Sequence, residues 1–239
     1  PMCGRYVIPA ENAVARWCPA PLRWGYRWLR AIFNVAPTTE VPILLSDAAE
    51  NTWATQKARW GLIPSWWQRE APPAHAINAR MEDVAAKPMW RESFRAARCL
   101  IPAQGWYEWQ ATHEPGRPPR QPFYIHSPEA DVLAFAGLYA TRTTAAGTTL
   151  TSCAILTKDS APSIAHIHPR MPIVLPKERL QTWLAPNARE EQLFDLLAQA
   201  QADFASHPVS TRVNSIHHEG PELIAKISIA NTGLLDFGP

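Results

Sequence analysis

The chain has 239 residues, of which 46% are hydrophobic, and a formal net charge of +2 from 23 basic and 21 acidic side chains. This length and composition are typical of one large globular domain and exclude a disordered or low-complexity chain. No apolar run approaches the ~18 residues that a membrane span requires, and the N-terminus lacks a signal-peptide core. We therefore expect a cytoplasmic protein without membrane contact.

The four cysteines are widely spaced, at positions 3, 18, 99 and 153, and no Cys-x-x-Cys pair occurs. Neither a disulfide framework nor a zinc site is indicated by this spacing. We expect reduced thiols, as is usual in the cytoplasm, and no metal.

The basic residues are mostly arginine, since lysine accounts for five of the 23, which leaves 18 arginines. The planar guanidinium binds phosphate in a bidentate fashion, and the 11 tryptophans offer flat faces on which nucleic-acid bases could stack. A GC-rich genome and tryptophans in the core would produce the same bias. Composition alone therefore does not establish DNA binding.

Hydrophobic patterning predicts many short strands with a few helices around them. In the first part of the chain, residues 9–17 predict a helix, 19–31 a surface loop or helix, and 41–45 a buried strand. In the later part, residues 123–125 and 132–139 predict two strands that pair with each other. The remaining predictions are helices at 88–97, 176–184 and 187–202 (Asn187 as N-cap), strands at 98–103, 105–109 and 209–216, and a hairpin at 141–157.

Residues 59–67 predict a strand that ends in a proline turn at two adjacent tryptophans, Trp66 and Trp67. Neighbouring side chains of an extended segment point in opposite directions, so the two rings are hard to bury together. We expect one of them to be exposed and functional.

The N-terminal stretch contains the most reactive candidate, Cys3. The printed sequence begins Pro1-Met2, and we expect a native chain to start at Met2 and to lose it. Cys3 would then carry both an α-amine and a thiol, which titrate near ~7.7–8.0 and ~8.5. Such a 1,2-aminothiol condenses with an aldehyde to an imine and then to a five-membered thiazolidine. The following Gly4 leaves room for a bulky aldehyde.

Several well-known catalytic motifs are absent, among them Gly-x-Gly-x-x-Gly, His-Glu-x-x-His and Gly-x-Ser-x-Gly. Cys3, Asn78, Glu108 and His168 remain as candidates in strongly patterned segments. Glu108 lies between aromatic residues of a predicted strand, either on a solvated face or in a cleft where desolvation would raise its pKa. Cys3 and His168 are equally consistent with a thiol peptidase.

The sequence resembles the SOS response-associated peptidase (SRAP) family. The motifs that carry the resemblance occur in matching order and span residues 3–214. They are Cys-Gly-Arg-Tyr at 3–6, Asn-Val-Ala-Pro-Thr at 34–38, Arg-Trp-Gly-Leu-Ile-Pro-Ser-Trp at 59–66, Asn-Ala-Arg at 78–80, Cys-Leu-Ile-Pro-Ala-Gln-Gly-Trp-Tyr-Glu-Trp at 99–109 and Ile-His-Pro-Arg-Met-Pro at 167–172. Gln104 departs from the Asp or Asn expected before the glycine.

The resemblance implies a single α+β domain over residues 1–239, with an antiparallel, barrel-like sheet and peripheral helices. It also implies a protein that recognises abasic sites in single-stranded DNA and crosslinks to them through its N-terminal cysteine. We expect this protein to be a monomer and to need no metal or cofactor. The family's catalytic positions fall on Cys3, Asn78, Glu108 and His168. Its DNA contacts fall on Arg5, Trp66, Trp67, Arg80 and Arg170.

Two alternatives remain open. One is a thiol autopeptidase or peptidase, with Cys3 as nucleophile and His168 as base. The other is a non-covalent reader of single-stranded DNA, which needs only the arginine and aromatic surface. Only the crosslinking hypothesis requires the free α-amine of Cys3. Association with the nucleoid would follow from DNA binding.

Overall fold

Strands in two sheets are the main regular structure of this protein. The computed structural model describes residues 4–47, 50, 52–69, 71–74, 76–111, 120–143 and 147–228. The strands of these regions are β1 Arg5–Ile8, β2 Leu22–Trp24, β3 Ile32–Val35, β4 Glu40–Asp47, β5 Thr52–Trp60, β6 Asn78–Arg80, β7 Arg98–Ala103, β8 Gly105–Ala111, β9 Arg120–His126, β10 Leu133–Thr143, β11 Thr149–Asp159, β12 Arg170–Pro172 and β13 Ala205–Pro208.

Five of these strands close into a barrel in the order β5-β4-β7-β10-β11. Its neighbours are antiparallel except at the closing seam, where β11 runs parallel to β5 and Cys153 pairs with Trp60. The strands are rich in apolar residues because their inner side chains fill the barrel and their outer ones are covered in turn. Trp60 and Phe135 are fully buried in this core.

A second, five-stranded sheet has the order β13-β9-β8-β1-β3 and is antiparallel throughout. It is joined to the barrel where β7 passes through Gln104 into β8. The two units also pack directly, since the Tyr6 ring of β1 meets Trp60 edge-on at 5.2 Å between centroids. The N-terminal strand is thereby fixed against the barrel.

Helices lie at the periphery and are short. They are α1 Glu11–Trp17, α2 Arg91–Ala96, α3 Leu180–Leu184 and α4 Glu190–Ala198, with 3-10 turns at Lys177–Arg179, Thr211–Asn214 and Pro221–Ile224. Within the described ranges, no helix has the length and apolar character needed to cross a bilayer. The predicted α+β class with a barrel-like core and peripheral helices is confirmed.

The prediction that 123–125 and 132–139 pair with each other is wrong. Both segments are strands, but β9 pairs with β8 and β13, whereas β10 pairs with β7 and β11. Adjacency in sequence suggested a hairpin, yet the connection crosses from one sheet to the other.

Several elements also differ from prediction in type or in boundaries. The strand expected at 59–67 ends at Trp60, because the chain turns at Gly61 with a φ of 130° that favours glycine. The segment 19–31, expected as a surface loop or helix, is an irregular stretch that contains the three-residue strand β2. The last strand lies at 205–208, since Ser210 then caps a 3-10 turn. Helix α4 is capped at Arg189, whose N–H donates to Gln192, and not at Asn187.

Candidate active site and nucleic-acid interface

The N-terminal strand leads to a buried acid. Cys3 itself lies outside the described residues, which begin at Gly4. Arg5 of β1 pairs with Tyr107 of β8, and Glu108 is the next residue of β8 beyond that pair. The Glu108 carboxyl side chain is only 1% exposed. A buried carboxyl group thus lies at the end of β1 from which the chain continues toward Cys3.

The other cysteines are poorly suited to act as nucleophiles. Burial raises the pKa of the Cys18 thiol to about 12 and raises the pKa values of Cys99 and Cys153 well above the ordinary range. All three are free thiols. Because only the thiolate is strongly nucleophilic, these three residues would react slowly near neutral pH.

Arg5 makes internal contacts that the sequence did not suggest. Its guanidinium donates to the Asn34 side-chain oxygen at 2.7 Å and to the Val213 and Asn214 carbonyls at 2.7 and 3.2 Å. Burial lowers the pKa of Arg5. These contacts tie the N-terminal strand to the C-terminal segment, and a DNA contact by Arg5 stays a prediction.

Asn78 and Arg80 lie on β6, a three-residue strand parallel to β11. Asn78 is half-buried and Arg80 is exposed, while Ala79 between them faces the core. The Trp60 indole fixes the start of this strand by donating to the Ile77 carbonyl at 3.0 Å. The side chains of Asn78 and Arg80 therefore share the outer face of a strand that is anchored to the barrel.

His168 lies just before β12, on the opposite edge of β11. Its Nδ1 is 3.1 Å from both the backbone nitrogen and the carbonyl oxygen of Arg170, so the ring orientation is fixed by that residue's backbone. Burial lowers the pKa of His168 below its ordinary value. The Gln110 side chain donates to the His166 carbonyl at 3.1 Å, which brings the end of the Glu108 strand to this loop.

Arg170 is enclosed by acceptors. Its guanidinium binds both carboxylate oxygens of Glu82, one oxygen of Asp159 and the Thr157 carbonyl, at 2.6 to 2.9 Å. The side chain is 11% exposed. The Arg170 hydrogen bond lowers the pKa of the Glu82 carboxyl group. The structure thus places the predicted phosphate contact inside an ion-pair network.

Trp66 and Trp67 lie in the segment between β5 and β6, whose ends meet where the Leu62 N–H donates to the Ala76 carbonyl at 2.9 Å. Trp66 is 48% exposed, as expected for one ring of the pair. Trp67 is held in place, because its indole donates to the Ala71 carbonyl at 2.9 Å and the Arg69 guanidinium lies over its ring at 5.6 Å. Trp66 is therefore the ring that is available for stacking.

Most of the predicted residues lie on two parts of the fold, the second sheet and the edges of β11. The Gln110–His166 hydrogen bond joins these two parts. Arg5 and Glu108 belong to the second sheet, and Asn78, Arg80, His168 and Arg170 flank β11 on its two edges. Sequence reasoning gave no role to Asn34 or Glu82, although Asn34 begins one quoted motif and Glu82 lies two residues after another. The sequence did not indicate that Asn34 contacts Arg5 or that Glu82 contacts Arg170, because each contact joins distant parts of the chain. Across the described ranges, no group of three or more His, Cys, Asp or Glu side chains is placed to hold a metal.

Known proteins that match the sequence share one description. Abasic site processing protein YoqW of Bacillus subtilis is 36% identical over 194 residues, 80% of this chain and 84% of the relative. Abasic site processing protein HMCES of Xenopus tropicalis is 31% identical over 267 residues, 95% of this chain and 78% of the relative.

The fold has solved counterparts as well. A crystal structure of a protein from Bacteroides thetaiotaomicron superposes with a TM-score of 0.73 at 21% identity, covering 95% of this chain and 100% of that one. At this identity the likeness concerns the fold alone. The family model described as SOS response associated peptidase (SRAP) matches residues 2–216, nearly the whole chain. The chain therefore belongs to the SRAP family.

Proposed function

We propose that this protein recognises abasic sites in single-stranded DNA and crosslinks to them covalently through the amine and thiol of Cys3. The observation that carries the proposal is the buried Glu108 carboxyl group, one residue beyond the β1–β8 pair that leads to the N-terminus. A Cβ placed at Gly4 would meet no atom of the described chain within 4 Å, so the described residues leave open space beside Gly4. The relatives named abasic site processing proteins support the same substrate.

The proposed chemistry is a condensation that loses one water. The closed deoxyribose first opens to its C1′ aldehyde. The Cys3 α-amine adds to that carbon, and loss of water gives an imine. The thiolate then adds to the imine carbon while the nitrogen takes a proton, which closes the thiazolidine.

Each predicted side chain has a role that suits its position. Glu108 transfers protons during ring opening and imine formation, as a buried general acid–base. His168, neutral at pH 7 because burial lowers its pKa, relays a proton at the sugar oxygen or the reacting carbon. Asn78 orients the amine or aldehyde by hydrogen bonding. Cys3 supplies both bonds to the DNA.

DNA binding rests on a different set of residues. Arg80 is exposed beside β11 and can neutralise a phosphate, and Trp66 can stack where the missing base interrupts the strand. Arg5, Trp67 and Arg170 complete the predicted set, although their side chains also make the internal contacts described above. We propose that the protein acts as a monomer in the cytoplasm, at the nucleoid.

The test incubates three forms of the protein with abasic single-stranded DNA and compares their products. A chain that begins at Cys3 should give an adduct whose mass is protein plus DNA minus one water, stable on a denaturing gel without reductant. A chain that retains Pro1-Met2 has a peptide bond at the Cys3 nitrogen, so it can form only a reversible hemithioacetal. The Cys3→Ala variant should bind DNA without any adduct. Equal crosslinking by the first two forms would refute the thiazolidine mechanism.

The family description names a peptidase, which favours a second activity of the same site. A thiol peptidase would use Cys3 as nucleophile and neutral His168 as base. That activity needs the thiol but not a free amine, so a chain that retains Pro1-Met2 would cleave its own leader and lose it in a Cys3-dependent manner. A leader that stays intact over days, by mass spectrometry, would argue against it. A non-covalent reader would bind abasic DNA and form no adduct in either form.

A further inference from the structure

The two carboxylates on Arg170 are held very differently. Glu82 meets the guanidinium end-on, with its two oxygens 2.6 and 2.9 Å from the two terminal nitrogens. Asp159 contributes one oxygen at 2.6 Å, and its side chain is 88% exposed. The Thr157 carbonyl accepts from the remaining terminal N–H at 2.9 Å. The terminal nitrogens thus have no spare hydrogen for a phosphate while all these contacts stand.

One of these contacts can be released more easily than the others. Exposed single-contact ion pairs are weak, because water solvates the released carboxylate well. The Asp159 carboxylate is therefore the partner that a phosphate oxygen would replace. The bidentate Glu82 pair would keep the guanidinium in place during that exchange, since paired N–H···O bonds fix its plane.

We propose that Glu82 is a positioning residue for Arg170 and that Asp159 is an intramolecular competitor, occupying the place that a DNA phosphate oxygen takes on binding. The inference rests on the proposed DNA-binding function and deepens it. No bond is made or broken; one carboxylate is exchanged for one phosphate.

The same arrangement bears on the candidate catalytic residue His168. The backbone N–H and carbonyl of Arg170 both lie 3.1 Å from the His168 Nδ1. Glu82 lies on the segment that follows β6, so its pair with Arg170 joins the Asn78–Arg80 strand to the His168 loop. Loss of the Glu82 carboxylate would remove this connection and leave both the Asn78–Arg80 strand and the His168 loop less firmly held.

The decisive experiment compares Glu82→Gln with Asp159→Asn. Each variant neutralises one carboxylate that pairs with the Arg170 guanidinium. A purely long-range electrostatic effect would therefore tighten DNA binding in both variants. We expect opposite signs. Asp159→Asn should tighten binding of intact single-stranded DNA by about two- to fivefold, the range of a surface ion pair. Glu82→Gln should weaken it and flatten the salt dependence by about one phosphate contact.

Two controls make the comparison sharp. Asp83→Asn removes a nearby carboxylate that pairs with Lys87 at 2.5 Å and acts on Arg170 through charge, so it reports the loss of a negative charge that is not one of the Arg170 acceptors described above. In an Arg170→Ala background, the effect of Asp159→Asn should shrink to that of Asp83→Asn. This double-mutant cycle of Asp159→Asn and Arg170→Ala tests the role of Asp159 even if thermal melting shows that Glu82→Gln is unfolded.

Clear outcomes would overturn the inference. Tighter binding by a folded Glu82→Gln variant removes the positioning role, and unchanged or weaker binding by Asp159→Asn removes the competitor. These affinities are measured by fluorescence anisotropy on DNA without abasic sites. The covalent reaction of the wild-type protein is measured separately. A missing adduct would contradict the proposed function, whereas a change in DNA affinity opposite to the expected one would contradict the inference about Glu82 and Asp159.

Discussion

At the scale of single residues, the environment of His168 favours its neutral form. Burial is the main cause of its lowered pKa, and the nearby Arg120 charge acts in the same direction. The Arg170 carbonyl opposes them, because it accepts a hydrogen bond from a protonated Nδ1. An imidazole in this state can accept a proton at neutral pH, which suits a proton relay.

The pH dependence of stability tests this environment. The unfolded His168 titrates near ~6.5, above the folded group, so the unfolded chain binds the proton first as the pH falls. The stabilising contribution of neutral His168 is therefore present above that pH and lost as the pH falls toward the folded pKa. We expect the wild-type protein to lose stability relative to His168→Gln as the pH falls through ~6.5, the pKa of the unfolded group, in urea unfolding.

An NMR titration of the same imidazole provides an independent check. Its midpoint should lie below ~6.5, the ordinary value for histidine. A midpoint at or above that value would mean that the ring is solvated, and the difference in stability between the two proteins should then disappear.

Residue types were easier to predict than residue partners. The alternation around Glu108 placed it between two aromatic neighbours of a strand, and the two outcomes left open by the sequence are resolved in favour of burial. The partners of Arg5 and Arg170 were not predictable, because each arginine meets acceptors that are distant in sequence. A guanidinium identified from sequence as a phosphate contact can equally be neutralised within the fold.

At the scale of elements, the segment between β5 and β6 places its two adjacent tryptophans in different environments. Trp67 is bound within the segment through its indole N–H, whereas Trp66 is 48% exposed. The ends of the segment are fixed by the Leu62–Ala76 hydrogen bond. The exposed Trp66 ring thus belongs to a segment whose ends are fixed two residues from Asn78.

Substitution of each tryptophan should have a different result. Trp66→Ala should lower affinity for single-stranded DNA by about 1–3 kcal/mol, the value of one stacked base. Its free energy of unfolding should stay within about 0.5 kcal/mol of wild type, as for other surface changes. Trp67→Ala should instead increase hydrogen exchange across residues 62–76. Anisotropy, urea unfolding and exchange mass spectrometry measure the three quantities, and wild-type DNA affinity in Trp66→Ala would rule out stacking.

Strand identity was predicted better than strand pairing. The mostly apolar run at 98–103 and the aromatic-rich run at 105–109 gave β7 and β8 with nearly correct boundaries. Which strands pair depends on how the chain crosses between two sheets, and local periodicity contains no information about that. The hairpin of β10 and β11 was predictable because only five residues separate the two strands in the sequence; Thr143 lies opposite Thr149.

At the scale of the whole molecule, the two ends of the described chain hold each other. Arg5 and Val213 are joined by a hydrogen bond of 2.7 Å. Asn34 connects them further, because its amide donates to the Ser215 and His218 carbonyls at 2.9 and 2.8 Å while its oxygen accepts from Arg5. The strand that leads to Cys3 is therefore fixed by residues near the other end of the sequence.

Asn34 is the residue on which these contacts converge, and it is only 7% exposed. Asn34→Ala leaves the Arg5 guanidinium without its side-chain acceptor and two carbonyls without a donor. We expect the free energy of unfolding to fall by about 2–4 kcal/mol, since each buried polar group that loses its partner is costly. Asn214→Ala is the matched control, because it removes only an exposed contact with the Trp109 indole and should cost far less. Urea unfolding and limited proteolysis of residues 209–228 measure both variants. Equal stability of Asn34→Ala and wild type would mean that the remaining contacts hold the C-terminal segment against the N-terminal strand without the Asn34 side chain. These contacts are the Arg5 hydrogen bond to the Val213 carbonyl and the apolar packing around Tyr107.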